Sequence, residues 1–315
     1  DSDVVLKSGL MLFRIEDLWN DTRANANIIS ILQGYSDPRL ERWFATNNAD
    51  IYSTDDELSP VVEKATKYLG VRQGVPMTRT EYQGYSKTSR VGIPEQGPRP
   101  VLRVAEAYFL RAEGMLRNWN MGDGTPESLY NEGIHSAWAS VLGDESGWAG
   151  TYESYINGFI NTEEGGDFDW ELFEGGFGSA PYINYRNQEY NYYIEENGKQ
   201  VGINRISVRW HDEDSPEKKL QRIITQKWIS FFPTLSSVAW TEYRRTGYPK
   251  LIPIPSDLNY SNGAIDTELQ IRRLPFTQSE YRGNTEEVNK ALGLLKGPDN
   301  GGTRLWWDVD KGNFE

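Results

Sequence analysis

Apolar residues recur at steps of three and four in three separate stretches, with polar, glycine-bearing sequence between them. In "VLRVAEAYFLRAEGMLR", residues 101–117, the stripe is Leu102, Ala105, Phe109, Ala112 and Leu116. In "TPESLYNEGIHSAWASVLG", 125–143, it is Tyr130, Ile134, Trp138 and Val141. In "SPEKKLQRIITQKWISFFP", 215–233, it is Leu220, Ile224, Trp228 and Phe231. A period near 3.6 puts each stripe on one helical face, so three amphipathic helices are predicted. Their ends carry matching chemistry: Thr125 and Ser215 suit N-caps, Pro126 and Pro216 first helical positions, and Gly143 and Pro233 stops.

Shorter segments are read the same way. Residues 1–60 predict short helices broken by turns, with Asp37-Pro38 in "GYSDPRLERWF" opening one of them. Residues 70–100 are polar and glycine-rich, which predicts loop with short strands. In "AWTEYRRTGYPKL", 239–251, a short helix should end with Gly247 at C′, and Pro249 blocks its continuation. "NTEEVNKALGLL", 284–295, is a last helix, with Asn284 and Glu287 at capping-box spacing. The helices of 101–117 and 125–143, joined by a short turn containing Gly and Asp, form a hairpin like a tetratricopeptide pair, although no 34-residue repeat runs through the chain.

Residues 144–214 break the pattern, being rich in Gly, Asn, Tyr and acids with about a dozen aromatics and no helical period. So long a stretch reads as a functional, loop-rich insertion, and its aromatic content argues against disorder.

Composition narrows the classes of function. Of 315 residues, 13% are aromatic, including Trp 11 and Tyr 18, and these need polar partners for their tips wherever they are buried. That length suits one large domain or two ordinary ones. The net charge of −13 argues against nucleic acid as a partner. With no Cys there is no disulfide, thiolate metal site or cysteine nucleophile. No run of eighteen apolar residues occurs, and "DSDVVLKSGLMLF" lacks the regions of a signal peptide.

Several segments together resemble the SusD/RagB family of nutrient-binding outer-membrane lipoproteins. They are "VLRVAEAYFLRAEG" followed by "LYNEGIHSAW", "KLQRIITQKWISFFP", "AWTEYRRTGYPKL", "IRRLPFTQSEY" and "TRLWWD", in that order from about residue 100 to about 310. The resemblance implies a mainly α fold of tetratricopeptide-like hairpins with a loop-rich, aromatic C-terminal region, one domain over 1–315. It implies a non-catalytic protein that captures a glycan at the cell surface and passes it to a SusC-like TonB-dependent transporter, with no cofactor. The family's signal peptide, lipid-bearing Cys and further helices do not occur in these residues, so the chain is expected to be the C-terminal portion of a longer, lipid-anchored protein.

Candidate chemistry is concentrated in the insertion. "EGGDFDWE", 164–171, is similar to the strand signature of family-18 chitinases, which would make Glu171 the acid and Asp169 its partner. The surrounding pattern is helical rather than an alternating β/α barrel, which favours a solvated acidic loop. His135 and His211 are expected to be structural or exposed. The acidic groups at 120–127 and 211–217 lack calcium-loop spacing and read as helix-start chemistry.

Sugars offer apolar C–H faces to aromatic rings and hydroxyl rims to polar side chains. The candidate platform rings are Trp148, Tyr152, Tyr155, Phe168, Trp170, Tyr182, Tyr185 and Tyr190, with Tyr192 and Tyr193 beside them. Asp167, Asp169, Arg186 and Asn187 are the candidate polar edges. More than half of these rings are expected to be buried in holding the loop together, leaving two or three as platform. A peptide-binding member of the same family is the other reading. Arg244-Arg245 among Trp240, Tyr243 and Tyr248 could clamp a carboxylate or phosphate. With the second pair Arg272-Arg273 also beside aromatics, the favoured reading is an internal arginine network that braces a helix end, with Glu242 and Glu280 as candidate partners.

Overall fold

A computed structural model describes residues 3–6, 22–46, 99–157, 193–196, 199–202, 206–254, 259, 261–262, 264–267 and 269–314, and the positions 68, 70, 71, 73 and 85–89. Two helices open the described part, α1 (Ala26–Gly34) and α2 (Arg39–Trp43). Asp37 begins α2: its Oδ1 accepts from the Arg39 amide at 3.0 Å.

The predicted hairpin is formed by α3 (Val104–Leu116) and α4 (Pro126–Leu142). Thr125 caps α4 as expected, with Ser128 completing the reciprocal box. Ala105, Phe109 and Ala112 of the first stripe are buried, as are Tyr130, Ile134 and Trp138 of the second. Where the helices meet, the Phe109 ring lies over Gly133, and a Cβ there would sit 2.6 Å from it.

Leu102 departs from the expectation. It belongs to β2 (Arg99–Leu102), which pairs antiparallel with β1 (Val4–Leu6), and it is 47% exposed. Helix α3 therefore starts two residues later, and the cap comes from far away: Asp3 Oδ1 accepts from the Val104 amide at 2.9 Å.

Within 144–214 the structure adds elements that the period does not reveal. They are a 3-10 turn (Glu145–Gly147), α5 (Ala149–Ile156) and an antiparallel pair, β3 (Tyr193–Glu196) and β4 (Lys199–Gly202). Next comes α6 (Pro216–Phe231), capped by Ser215 and buried along Leu220, Ile224 and Phe231. In α7 (Ser236–Thr246), Gly247 takes the left-handed φ of 77° at the predicted stop. The tail carries α8 (Gln278–Gly283) and α9 (Thr285–Leu294). The box predicted at Asn284 and Glu287 does not form, because Asn284 makes no side-chain cap and Glu287 accepts from Lys290 instead.

Helix α3 packs on both α4 and α6, and α6 packs on α7. One core cluster runs from Ile29 and Leu32 of α1 through Phe109, Tyr130 and Trp138 to Ile223 and Ile229 of α6. The described residues are thus mainly α, with two short two-stranded sheets.

Candidate functional site

Three of the predicted site rings belong to the core. Trp148, Tyr152 and Tyr155 are 6%, 7% and 2% exposed and meet Trp138 at ring-centroid distances of 4.7–5.8 Å. Helix α5 turns Tyr152 and Tyr155 inward and Trp148 packs inward at its N-cap, so none offers a face to a ligand. Phe168, Trp170, Tyr182, Tyr185, Tyr190, Asp167, Asp169, Arg186 and Asn187 lie outside the described residues, as does Glu171.

The inward rings anchor the start of the insertion. The Tyr155 hydroxyl donates to Asp37 Oδ2 at 2.7 Å and accepts from Gln226 Nε2 at 2.9 Å. Asp37 is also paired in two-pronged fashion with Arg39, at 2.9 and 2.6 Å, and both side chains are wholly buried. Burial pushes the Tyr155 hydroxyl well above its ordinary pKa and the Asp37 charge adds to it, so it remains a donor. The far end of the insertion is pinned through backbone carbonyls. Tyr35 donates to the Ile206 carbonyl at 3.1 Å, Tyr130 to that of Val208 at 2.7 Å, and Arg222 to that of Ser207 at 3.2 Å.

Neither histidine sits in a catalytic arrangement among the described residues. His135 lies edge-on to Trp148 and Tyr152, 3.2 Å from Glu145. His211 sits 3.3 Å from Ser207 Oγ and 3.3 Å from Glu213, distances that resemble a nucleophile–base–acid relay. Ser207 is 2% exposed, however, and its hydroxyl already donates to the Arg209 carbonyl at 3.2 Å. No substrate reaches a hydroxyl so buried, and the group is structural. Among the described residues no three His, Cys, Asp or Glu side chains converge to hold a metal, and no helix is long and apolar enough to cross a membrane. A cavity of about 290 Å³ lies beside α3 and the β1–β2 pair, lined by Val4, Leu102, Arg103, Val104, Ala107, Tyr108 and Arg111. Both of its guanidinium heads are already engaged, Arg111 by the Met121 and Asp123 carbonyls and Arg103 by the Phe232 carbonyl and Asp3.

The two arginine pairs form the expected network, with Glu242 as one partner and Glu113, Asp299 and Asp308 in place of Glu280. Arg245 grips Glu113 of α3 with two hydrogen bonds of 2.6 and 2.7 Å and Glu242 with a third of 2.6 Å. Arg272 holds Asp308 at 2.8 and 2.5 Å and also donates to the Arg244 carbonyl. Arg273 takes Asp299 at 2.5 Å, and neither arginine of this pair uses Glu280. Burial alone would raise the pKa of Glu113, but the hydrogen bonds and charge of Arg245, then Arg117, hold it below the usual carboxylate range.

Arg244 stands apart. Its guanidinium lies between the Trp240 and Trp307 rings, at 4.6 and 4.9 Å, and makes no ion pair or hydrogen bond among the described residues. Trp240 is 37% exposed, Trp307 44% and Trp306 86%. In the sequence, Arg244 reads as part of an anion clamp or of a brace, with the brace preferred, and neither Trp306 nor Trp307 reads as a ligand group. The available signal was a tandem Trp pair between Arg304 and Asp308 in a segment without helical or strand period.

A family model described as SusD-like, "Susd and RagB outer membrane lipoprotein", matches residues 6–155 and 177–308. That match begins well before residue 100, where the resemblance read from the motifs starts, and its interruption falls inside the insertion. No curated protein matches. Among solved structures, a chitin-binding SusD homolog from Flavobacterium johnsoniae is 34% identical with a TM-score of 0.71, over 99% of this chain and 55% of that one. A SusD homolog from Bacteroides vulgatus is 31% identical with a TM-score of 0.69, over 99% and 55%. One from Bacteroides ovatus is 31% identical with a TM-score of 0.70, over 98% and 56%. The chain spans about half the length of the solved relatives it matches.

Proposed function

The chain belongs to the SusD-like family, and on that premise we propose that it serves a non-catalytic glycan-binding protein of the outer-membrane surface. Its ligand is an oligo- or polysaccharide, and its partner is a SusC-like TonB-dependent transporter to which the glycan is delivered. A lipid on the full-length protein supplies the anchor. The ligand face is built from the rings and polar groups of 167–190, namely Phe168, Trp170, Tyr182, Tyr185 and Tyr190 with Asp167, Asp169, Arg186 and Asn187. Trp148, Tyr152 and Tyr155 support that face from the core.

The observation that carries this reading is the anchored base. Tyr155 at one end, and the carbonyls of Ile206, Ser207 and Val208 at the other, hold an aromatic-rich insertion on a rigid scaffold. A preorganised base lowers the entropy lost on binding. The chitin-binding relative supports a glycan as the class of ligand.

Calorimetric titration against a polysaccharide panel tests the reading. Binding should weaken about ten-fold in Trp170→Ala, and no reducing sugar should be released. Hydrolysis that vanishes in Glu171→Gln would replace this reading with a glycosidase. Affinity for oligopeptides and for no polysaccharide would make the chain a peptide-binding member of the family.

A further inference from the structure

We infer that the surface formed by Trp240, Arg244, Trp306 and Trp307 is a second saccharide site, for a sugar that carries a carboxylate. It does not rest on the ligand face proposed within 167–190.

The first ground is the unpaired charge. Arg245, next in sequence, carries two carboxylates, and Arg272 and Arg304 both reach Asp308. Arg304 also holds Asp310 at 3.0 Å. Arg244 has no such partner among the described residues. The Trp240 and Trp307 rings lie 4.6 and 4.9 Å from the guanidinium; its Nε is buried, and its terminal nitrogens are the donors that suit a carboxylate.

The second ground is the shape and rigidity of the rings. Trp306 offers nearly all of its surface and is next in sequence to Trp307, which with Trp240 meets Arg244. Together they expose roughly 400 Å² of aromatic surface. Apolar patches of that size on a monomer are often functional. A stable protein partner covers about 800 Å² per side, twice as much. A pyranose face fits one indole.

The platform is also held in place. Trp240 Nε1 donates to the Ile271 carbonyl at 3.2 Å, and the Arg272 amide donates to that of Gly301 at 2.7 Å. The Asp308 amide closes the turn onto the Leu305 carbonyl at 2.9 Å. In the bound state a sugar ring stacks on Trp306 and Trp307 while its carboxylate takes the edge of Arg244.

The test is calorimetry with tetrasaccharides of galacturonate, glucuronate and mannuronate, each beside its methyl ester. At least one acid should bind, with its ester about ten-fold weaker. Trp306→Ala should weaken that acid about ten-fold, and this exposed position keeps folding out of the result. Arg244→Gln should bring acid and ester to the same affinity. Trp170→Ala should leave the acid's affinity unchanged, which separates this site from the other. Silence of all three acids, equal binding of acid and ester by the unaltered protein, or binding indifferent to both Trp306→Ala and Arg244→Gln would overturn the proposal. The surface would then be left to a protein contact.

Discussion

Two neighbouring arginines with the same side chain do different work, and the difference can be measured. Arg245→Ala leaves Glu113, only 5% exposed, with Arg117 as its remaining cation. Arg245 itself is partly solvated, so we expect a loss of about 2 kcal/mol, read as a lower urea midpoint. Arg244→Ala gives up two indole contacts and should cost about 1 kcal/mol or less. The carboxylates held by these arginines also set the acid limit of the fold. Glu113, Asp299 and Asp308 would each be raised by burial. Arg245 on Glu113, Tyr281 and then Arg273 on Asp299, and Arg272 on Asp308 hold them below the carboxylate range instead. Groups depressed in the folded state contribute fully above the unfolded carboxylate pKa, about 4, and lose that contribution as pH falls through their lowered values. Relief of the net negative charge works in the opposite direction only down to the pI of about 4.8. Stability should therefore hold between pH 7 and 5 and fall steeply below 4, and in Glu113→Gln it should start lower and fall less.

At the scale of elements, the helical hairpin depends on the close approach at Gly133. Gly133→Ala would press a methyl group into the Phe109 ring, and overpacking of this kind costs about 1–3 kcal/mol despite the better helix propensity of alanine. A thermal melt of this single variant checks it. The stripes of α3, α4 and α6 were legible in the sequence because their period is local, and so were the caps at Thr125 and Ser215. The start of α3 was not, since the carboxylate that caps it belongs to Asp3, across the chain from Val104. Helix α5 was missed because Trp148, Tyr152 and Tyr155 pack into a core that other segments build, while the rest of its short sequence shows no stripe. The hairpin of β3 and β4 brackets Asn197-Gly198, a strong turn signal that helical periodicity does not weigh. The pairing of Arg245 with Glu113 joins residues 132 positions apart, beyond any local pattern, whereas Glu242, three residues away, was within reach.

At the scale of the whole molecule, the insertion divides into a part that folds the protein and a part outside the described residues. Trp148→Ala empties a packed aromatic cluster and should cost about 3–5 kcal/mol in chemical denaturation. Tyr155→Phe keeps the ring but takes a donor from the buried Asp37 and an acceptor from Gln226, for about 1.5–3 kcal/mol. Sequence gave both residues the same candidate role as Trp170, because ring identity alone does not tell an inward face from an outward one. The anchors at the far end have a further consequence. Tyr35, Tyr130 and Arg222 grip residues 206–208 by their main-chain oxygens, and a main-chain oxygen is the same whatever amino acid bears it. The buried side chains of Ile206 and Val208 are tied to the core, but the grip itself asks nothing of them. On the function proposed above, the side chains between the two anchors can change, and the ligand with them, while the helices beneath remain as they are.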